Sequence, residues 1–249
     1  MDLVVQEFKM EISDINVGIC LIIKNENQYL DEWLEHYRKL GVDKFFIYDN
    51  NSSTPIKIDD NDVDVILWDN ELFGSQNNSY LDCCQKNQSF DFIGFFDTDE
   101  FYFSKSMNIK SDINHFKSLY GDFDGFAIYW RLYGKQSPYF TERQSIEMYT
   151  QYYEDAHIKS LLNPKKVVSF GQPHFASLLN GKYIDELGRI VFSPIGEHTS
   201  DYVWIKHIWT RSEEEFKEKL IRGDVNWRKQ INTNFDEFYN YNDRCVLND

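Results

Sequence analysis

A short apolar run that ends in acidic residues is the feature that most constrains the fold. Residues 92–96 are uninterrupted apolar residues, and Asp97, Asp99 and Glu100 follow almost at once. Such a run is typical of a strand buried in a largely parallel sheet. Ligands of open α/β sheets bind beyond the carboxyl ends of the strands, so the two aspartates are predicted to face a cleft. Their oxygens suit Mg²⁺ or Mn²⁺ holding a diphosphate. The alternative is an acidic turn after a core strand.

Strand-like and helix-like segments alternate through the first part of the chain. Residues 17–23, 44–48 and 63–68 are predicted strands. Apolar residues at helical spacing from Leu30 to Leu40, closed by Gly41, predict a helix, and residues from about 79 to 86 predict another. This alternation, with short polar loops, is typical of a doubly wound α/β domain.

After Glu100 the pattern becomes mixed. It predicts helices over residues 109–120 and 212–221 and strands over residues 125–130, 167–170 and 190–192, while residues 133–153 show no clear period. The last helix begins at a Ser212…Glu215 capping box and is predicted to stop near Gly223. Because we find no internal repeat and no low-complexity linker, we expect one domain over residues 1–249.

The charge and composition exclude several classes of protein. A formal net charge of −15 argues against nucleic acid as the main partner, because phosphate backbones need a basic footprint. No stretch reaches the roughly 18 apolar residues of a membrane span. The N-terminus, with Asp2, Glu7 and Glu11, lacks the basic start of a signal peptide. The four cysteines lack zinc-site spacing. We therefore expect no transmembrane segment and a cytoplasmic setting, with room for a peripheral position at a membrane.

Three polar loops, each following a predicted strand, are expected at the same edge of the sheet. They are residues 24–27, 49–53 and 97–100. Asn25, Asp49 and Asn50 offer the donors and acceptors that fit a nucleobase and ribose, and Asp97 and Asp99 offer metal ligands. Any one of these loops alone is more simply an ordinary turn. Three of them in register favour a binding site.

A series of short motifs follows in order along the chain. They are Ile22-Ile23-Lys24-Asn25-Glu26, Glu32-Trp33-Leu34-Glu35-His36-Tyr37, Leu40-Gly41-Val42, Tyr48-Asp49-Asn50-Asn51-Ser52-Ser53, Gln76, Phe95-Phe96-Asp97-Thr98-Asp99-Glu100-Phe101, Trp130…Tyr133-Gly134, Lys159-Ser160, Pro164, His174, His207-Ile208-Trp209-Thr210-Arg211-Ser212, Lys219 and Arg222-Gly223. This set covers residues 17–224 approximately and resembles the family 92 and related family 2-like (DUF23-type) glycosyltransferases. The resemblance implies a GT-A fold, with a Rossmann-like, mostly parallel central sheet flanked by helices and a mixed C-terminal acceptor-side region. The nucleotide-sugar half would cover about 17–130 and the acceptor half 131–249.

The resemblance also implies roles for particular residues. Asp97 and Asp99 would hold Mn²⁺ or Mg²⁺ on the donor diphosphate, with His207 as a further metal ligand and His174 as its competitor. The residues that would contact the nucleotide are Lys24, Asn25, Glu26, Asp49, Asn50 and Gln76. Lys159 and Arg211 are candidates for phosphate contacts, or else surface charges. The chain departs from the family pattern at Thr54, at Ile208-Trp209 and at Arg211, which bears on the identity of the donor.

The proton acceptor of an inverting transfer has several candidates. The carboxylates in question are Glu147, Glu154, Asp155 and Glu197. Glu154-Asp155 resembles the Glu-Asp pair that carries the base in many GT-A enzymes, and its alternative is a solvated helix start before residues 156–162. An aromatic-rich region could stack on sugar faces, with core packing as the alternative for Trp130. Its members are Trp130, Tyr133, Tyr139, Tyr149, Tyr152 and Tyr153.

The resemblance implies a metal-dependent hexosyltransferase. Its donor would be a UDP-hexose, galactose first, its acceptor a glycan or glycolipid, and its stereochemistry inverting. Two other readings remain open. The same carboxylates could hold Mg²⁺ for nucleotidyl transfer, although a glycine-rich basic phosphate loop near the first strand is absent from the sequence. The chain could also be a non-catalytic module that binds a glycan or a nucleotide.

Overall fold

The computed structural model describes residues 15–69, 74–222 and 235–249. The first half alternates strands and helices. Its elements are β1 (Val17–Ile23), a 3₁₀ turn (Asn27–Tyr29), α1 (Leu30–Lys39), β2 (Lys44–Asp49), β3 (Val63–Leu67), α2 (Ser75–Lys86), β4 (Phe92–Phe95), β5 (Glu100–Ser104) and α3 (Ile109–Tyr120).

The second half is richer in strands. Its elements are β6 (Gly125–Gly134), a 3₁₀ turn (Ile146–Met148), β7 (Gln151–Leu162), β8 (Val167–Gln172), β9 (Phe175–Leu178), β10 (Tyr183–Ile184), β11 (Val203–His207), α4 (Glu213–Arg222), α5 (Asp236–Asp243) and β12 (Leu247–Asn248). No helix in the part of the chain that the structure describes is both long and apolar enough to cross a bilayer.

One large mixed sheet organises the molecule. Its strand order is β3-β2-β1-β4-β7-β6-β11-β5, with β10 paired to β6 and β12 to β7. Strands β3, β2, β1 and β4 run parallel, β7 runs antiparallel to β4 and β6, and β11 runs parallel to β6 and antiparallel to β5. The expected α/β, GT-A-like class is therefore confirmed.

The parallel half forms as its hydrophobic pattern predicts. Every residue of β1 is buried, and α1 covers the sheet with an apolar stripe that includes Trp33 and Tyr37. Gly41 has φ +84°, a left-handed conformation that favours glycine and ends the helix as predicted. At the other end of the chain, the Ser212 hydroxyl donates to Glu215 at 2.7 Å, which confirms the capping box at the start of α4.

Some sequence-based boundaries are wrong or short. The alternative helix over residues 156–162 is wrong, because that segment belongs to β7, whose residues 158–162 pair with residues 125–129 of β6. A register shift between Tyr129 and Arg131 marks an irregularity that obscures the period in sequence. Helix α2 begins at Ser75, four residues before its predicted start. Near the predicted strand 190–192, Ile190 makes an isolated bridge to Ile184. The predicted helix stop near Gly223 lies outside the described residues.

Candidate active site

The loops that follow β1 and β2 are joined by hydrogen bonds. Asn25 adopts φ 56°, and its side-chain oxygen accepts from the backbone of Ser53 at 2.7 Å, while its own backbone donates to the Ser52 hydroxyl at 2.9 Å. Asp49 is almost fully buried and accepts from the backbone of Ser52 at 2.9 Å. The parallel order β2-β1-β4 places these loops and the acidic loop at one sheet edge, as predicted. Asn25 thus joins the loops that follow β1 and β2, and Asp49 stabilises the second of them. The contacts of both residues with a nucleotide stay predictions.

The remaining predicted nucleotide residues line the same edge. The Asn50 amide donates to the Trp68 carbonyl at 3.0 Å, and the Gln76 amide donates to Asp97 at 2.9 Å. Lys24 is partly exposed at the end of β1. The structure therefore brings Gln76, from α2, directly to the acidic motif.

Glu26 ties the first loop to the acidic loop and to α4. Its carboxylate accepts from the Thr98 hydroxyl at 3.0 Å and pairs with the Arg222 guanidinium at 2.6 Å. Burial raises the pKa of Glu26 above its usual value, while Arg222 opposes the change. Glu26 therefore bridges the acidic loop and α4.

Asp97 belongs to a network that leads into the protein. Its carboxylate accepts from Gln76 at 2.9 Å, from Tyr80 at 3.2 Å and from the Lys159 ammonium at 2.8 Å. Glu100, fully buried, accepts from the Asp97 backbone and from Lys159, each at 3.0 Å. Burial raises the pKa of Glu100 to about 7, while Lys159 lowers it. Burial alone would lower the pKa of Lys159, but Asp97 and Glu100 raise it above its usual value.

The position of Lys159 corrects its alternative as a surface charge. Its side chain is 0% exposed, and its contact with a phosphate stays a prediction. Its strand, β7, lies between β4 and β6 in the middle of the sheet, which places the ammonium under the acidic loop. Lys159 therefore neutralises Asp97 and Glu100 from within.

Asp99 has a different set of partners. It accepts from the Lys219 ammonium at 2.8 Å, and its other oxygen lies 3.6 Å from Nε2 of His207. His207 reaches the motif because β11 pairs with β5, which sets it opposite Glu100, and because the Ile208 backbone donates to the Asp99 carbonyl at 2.8 Å. Burial would raise the pKa of Asp99, but Lys219 and then His207 outweigh it and hold this pKa well below its usual value. Asp99 is thus ionised at neutral pH.

Three cations surround the cleft beside Asp99. Arg211, also at a left-handed φ of 52°, donates to the Thr98 carbonyl at 2.6 Å and lies 3.8 Å above the Tyr29 ring. The residues lining this small cleft are Glu26, Tyr29, Asp99, Trp209, Thr210, Arg211, Lys219 and Arg222. Three cations gathered in a chain of net charge −15 form a local site for an anion.

Lys219 and Arg222 were not among the predicted site residues. Their spacing of three puts them on one face of α4, and this was the signal available in the sequence. Nothing in the sequence showed that α4 lies against the acidic loop, because Lys219 is 120 positions from Asp99.

The residues partly fit a divalent ion. Among residues 15–69, 74–222 and 235–249, no three carboxylate, imidazole or thiol groups gather where a metal could bind. Asp99 and His207 nevertheless face each other, and Mg²⁺-type ions in phosphate enzymes are held by one or two protein ligands, substrate phosphates and waters. Nδ1 of His207 is buried without a hydrogen-bond partner and lies 3.9 Å from Glu100, which has an equally unpartnered oxygen. The pair fits an ion that the substrate helps to hold. Asp97, bonded to three protein donors, stays a predicted ligand.

His174, the competing histidine, is placed elsewhere. Its ring packs on Trp130 at 5.0 Å between centroids, and its Nδ1 lies 3.2 Å from the Ile158 carbonyl. Burial, followed by Lys159, lowers the pKa of His174 to about 2. It is therefore a neutral, half-buried ring beside the site, whereas His207 faces an aspartate of the motif.

The candidate bases occupy distinct environments. Asp155 on β7 accepts from both the backbone and Nδ1 of His157, at 2.9 and 2.6 Å. Glu154 is exposed and lies 3.5 Å from His198. Glu197 pairs with Arg189 at 2.9 Å and is 86% exposed, and Glu147 lies in an exposed 3₁₀ turn. Glu154 and Asp155 share β7 with Lys159, and Asp155 is the one whose carboxylate bonds to an imidazole on that strand.

The aromatic residues divide between core and surface. Tyr133, Tyr149 and Tyr152 are buried in the main core, so core packing accounts for them. Tyr139 bonds to Asp243, and Tyr153 packs under Arg244. Trp130 is partly exposed, and three imidazole rings surround it: His207 at 4.3 Å, His174 at 5.0 Å and His157 at 5.2 Å between centroids. Trp130 thus connects the predicted metal ligand to the strand of the candidate base.

Comparisons with known proteins place this arrangement in context. A family model described as Glycosyltransferase family 92 matches residues 14–238. A glycosyltransferase family 92 protein of Arabidopsis thaliana is 22% identical over an alignment of 237 residues, and the match covers 86% of this chain and 39% of that relative. Proteins with the same family description from Oryza sativa subsp. japonica and Ricinus communis are 32% identical over 91 residues and 27% identical over 95 residues. These matches cover 33% and 34% of this chain and 15% and 16% of those relatives. The chain therefore spans less than half the length of these relatives.

Proposed function

The chain belongs to glycosyltransferase family 92, and on that premise we propose that it is a metal-dependent glycosyltransferase. The donor is a UDP-hexose, with galactose as the first candidate, and the acceptor is a glycan or glycolipid. Transfer inverts the anomeric centre. Donor, acceptor and stereochemistry rest on the family resemblance; the chemistry of the leaving group rests on the site.

One observation carries the proposal: Asp99 and His207 face each other at the rim of a cleft that also holds three cations. The 3.6 Å separation of the two ligand atoms and the 2.8 Å contact from Lys219 put metal-ligand chemistry and anion-binding chemistry in one place. A nucleoside diphosphate complexed with a divalent ion needs this combination. The site lies at the carboxyl ends of β1, β2 and β4, where ligands of α/β sheets bind.

The side chains of this site would divide the work of transfer. A divalent ion held by Asp99 and His207 would supply Lewis-acid neutralisation of the departing diphosphate. Lys219 and Arg222, on one face of α4, bind the diphosphate oxygens beside it. Arg211 holds the Thr98 carbonyl and so fixes the acidic loop from below. The loops of Lys24–Asn27 and Asp49–Asn50 hold the nucleoside.

Nucleotide-binding measurements test the proposal directly. Thermal-shift screening of the whole chain against UDP, GDP, CDP and ADP, each with and without Mn²⁺, is expected to show stabilisation by UDP that requires the metal. A panel of UDP-sugars with glycan acceptors is then expected to release UDP, with UDP-galactose first. Metal-independent binding would contradict the proposed chemistry. Release of pyrophosphate from a nucleoside triphosphate would replace it with nucleotidyl transfer.

A further inference from the structure

Asp155 and His157 form a carboxylate–imidazole pair on β7. The Asp155 oxygen that accepts from the His157 backbone also lies 2.6 Å from Nδ1 of the ring. In the neutral ring, Nδ1 carries the proton and donates it to the carboxylate, which leaves the lone pair on Nε2. A carboxylate that fixes the tautomer of a histidine in this way is a recurrent arrangement for a general base.

The pair lies beside the proposed donor site. The ring of His157 stacks on Trp130 at 5.2 Å, and Trp130 contacts the ring of His207 at 4.3 Å between centroids. His157 and Lys159 are two residues apart on β7, and Lys159 binds Asp97. The indole ring of Trp130 therefore lies between the ring of His157 and that of His207, the proposed metal ligand.

Exposure and bonding distinguish His157 from its neighbours. The His157 side chain is 39% exposed and that of Asp155 is 23% exposed. One carboxylate oxygen of Asp155 accepts hydrogen bonds from both the backbone and the ring of His157. His174 is also half-buried, but its Nδ1 lies against a backbone carbonyl, and His207 is buried and faces Asp99. Among the three imidazoles around Trp130, His157 is the one that combines partial exposure with a carboxylate within hydrogen-bond distance.

We propose that His157 is the general base of the transfer, with Asp155 as its positioning residue. The inference rests on the proposed glycosyltransferase function and deepens it. Nε2 of His157 takes the proton of the acceptor hydroxyl while the hydroxyl oxygen bonds to the anomeric carbon. The bond from that carbon to the diphosphate oxygen breaks, and the diphosphate leaves with the electron pair. Asp155, the aspartate of the Glu154-Asp155 pair, thus acts through an imidazole rather than as the base itself.

The experiment compares single variants of the whole chain in UDP release from the most reactive donor and acceptor. His157→Gln keeps a polar group for Asp155 but removes the base, and it is expected to lower kcat by about 10²–10³-fold. Mn²⁺-dependent UDP binding, measured by calorimetry, is expected to stay unchanged. Added imidazole is expected to restore part of the activity of His157→Ala. Asp155→Asn is expected to lose less than His157→Gln. His115→Gln, at a ring stacked on Tyr202 away from the site, is the matched control.

The outcomes separate the two proposals. Full activity in His157→Gln, or a larger loss in Asp155→Asn than in His157→Gln, would overturn the assignment of the base while leaving the transferase intact. A parallel loss of UDP binding and kcat in His157→Gln would make the residue structural and would also overturn it. A wild-type chain that neither binds UDP with Mn²⁺ nor releases UDP from any donor would remove the proposed function, and the base with it.

Discussion

The two aspartates of the acidic motif, two residues apart in the chain, serve different regions of the molecule. Asp97 accepts from Lys159, a buried cation, and from the side chains of Gln76 and Tyr80. Asp99 lines the cleft, with Lys219 on one oxygen and His207 3.6 Å from the other. Two like charges in one short loop are tolerated because each has its own cation. The side chains of Asp97 and Asp99 are 34% and 13% exposed, so the two aspartates differ in their partners rather than as one interior and one surface residue.

Thr98 lies between them and holds the loop in this division. It is 2% exposed; its hydroxyl donates to Glu26 and its carbonyl accepts from Arg211. The geometry of the cleft therefore depends on contacts on both sides of the motif. The predictions below test whether the residues bonded to Lys159 act mainly on stability and the residues of the cleft mainly on activity.

The largest expected effect is a loss of stability when the buried Lys159 is replaced. Lys159→Met would leave the fully buried Glu100 and the partly exposed Asp97 without their cation, and we expect the free energy of unfolding to fall by about 4 kcal/mol at pH 7. Urea denaturation measures it. Lys39→Met, at an ion pair whose side chains are 72% and 68% exposed, is the control and should leave the free energy of unfolding close to that of the wild type. Equal effects of the two substitutions would contradict a buried role for Lys159.

Asparagine substitutions at the two aspartates sharpen the same contrast. Asp99→Asn is expected to lower kcat/KM for the donor by about 10²–10³-fold and to abolish the Mn²⁺-dependent thermal shift with UDP, because the cleft loses a charged ligand. Asp97→Asn is expected to act chiefly on stability, since Lys159 then loses one of its two acidic partners. Asp122→Asn, at a side chain that is 96% exposed, is the control. A larger loss of metal-dependent binding in Asp97→Asn would reverse the assignment.

The pH dependence of stability tests the packing of α1 against β5 through His36. His36 on α1 bonds to the Tyr102 carbonyl of β5 at 2.8 Å, and burial lowers its pKa from 6.5 to about 4. Between these two pKa values, His36 therefore binds a proton in the unfolded chain but stays neutral in the folded chain. This contribution to stability is complete above about pH 6.5 and is lost as the pH falls toward 4, by about 3 kcal/mol in all. His36→Gln should flatten that part of the pH profile of unfolding, and an unchanged slope would refute the assignment.

The smallest expected effect concerns a single cation of the cleft. Lys219→Gln removes the charge that faces Asp99 and, in our proposal, the donor diphosphate. We expect KM for the donor to rise about tenfold, the size of one charge-assisted hydrogen bond. Lys217→Gln, on the same helix with its ammonium 5.1 Å above the Phe235 ring, is the matched control. A KM equal to that of the control would place the diphosphate elsewhere.

Much of the first half of the fold could be predicted because its signals are local. The strand at residues 17–23 and the helix from Leu30 to Gly41 follow from apolar spacing and a glycine cap, and the structure has both. The alternative helix over residues 156–162 was wrong because β7 takes its conformation from pairing with β6, which no local window contains. The same reason hid the irregularity near Trp130, where the period-two alternation is interrupted.

The candidate site was predicted in outline and corrected in its parts. The meeting of three loops at one sheet edge followed from strand order, and it is what the structure shows. Lys159 was expected at a phosphate or at the surface, but its neighbours in sequence cannot show that its ammonium is buried. His157 was passed over because a histidine two positions from an aspartate carries no signal until the strand sets its ring against Trp130.

By itself, the sequence determined the class of the protein: buried parallel strands that end in polar loops, and an ordered set of motifs that identifies the family. The tertiary structure alone decided which carboxylate binds the buried Lys159 and which binds Lys219 in the cleft. Two aspartates in one loop have the same chemistry, and only their environments distinguish them. Those environments come from Lys159 and Lys219, which lie 62 and 120 positions away and meet the motif only when the sheet and α4 are assembled.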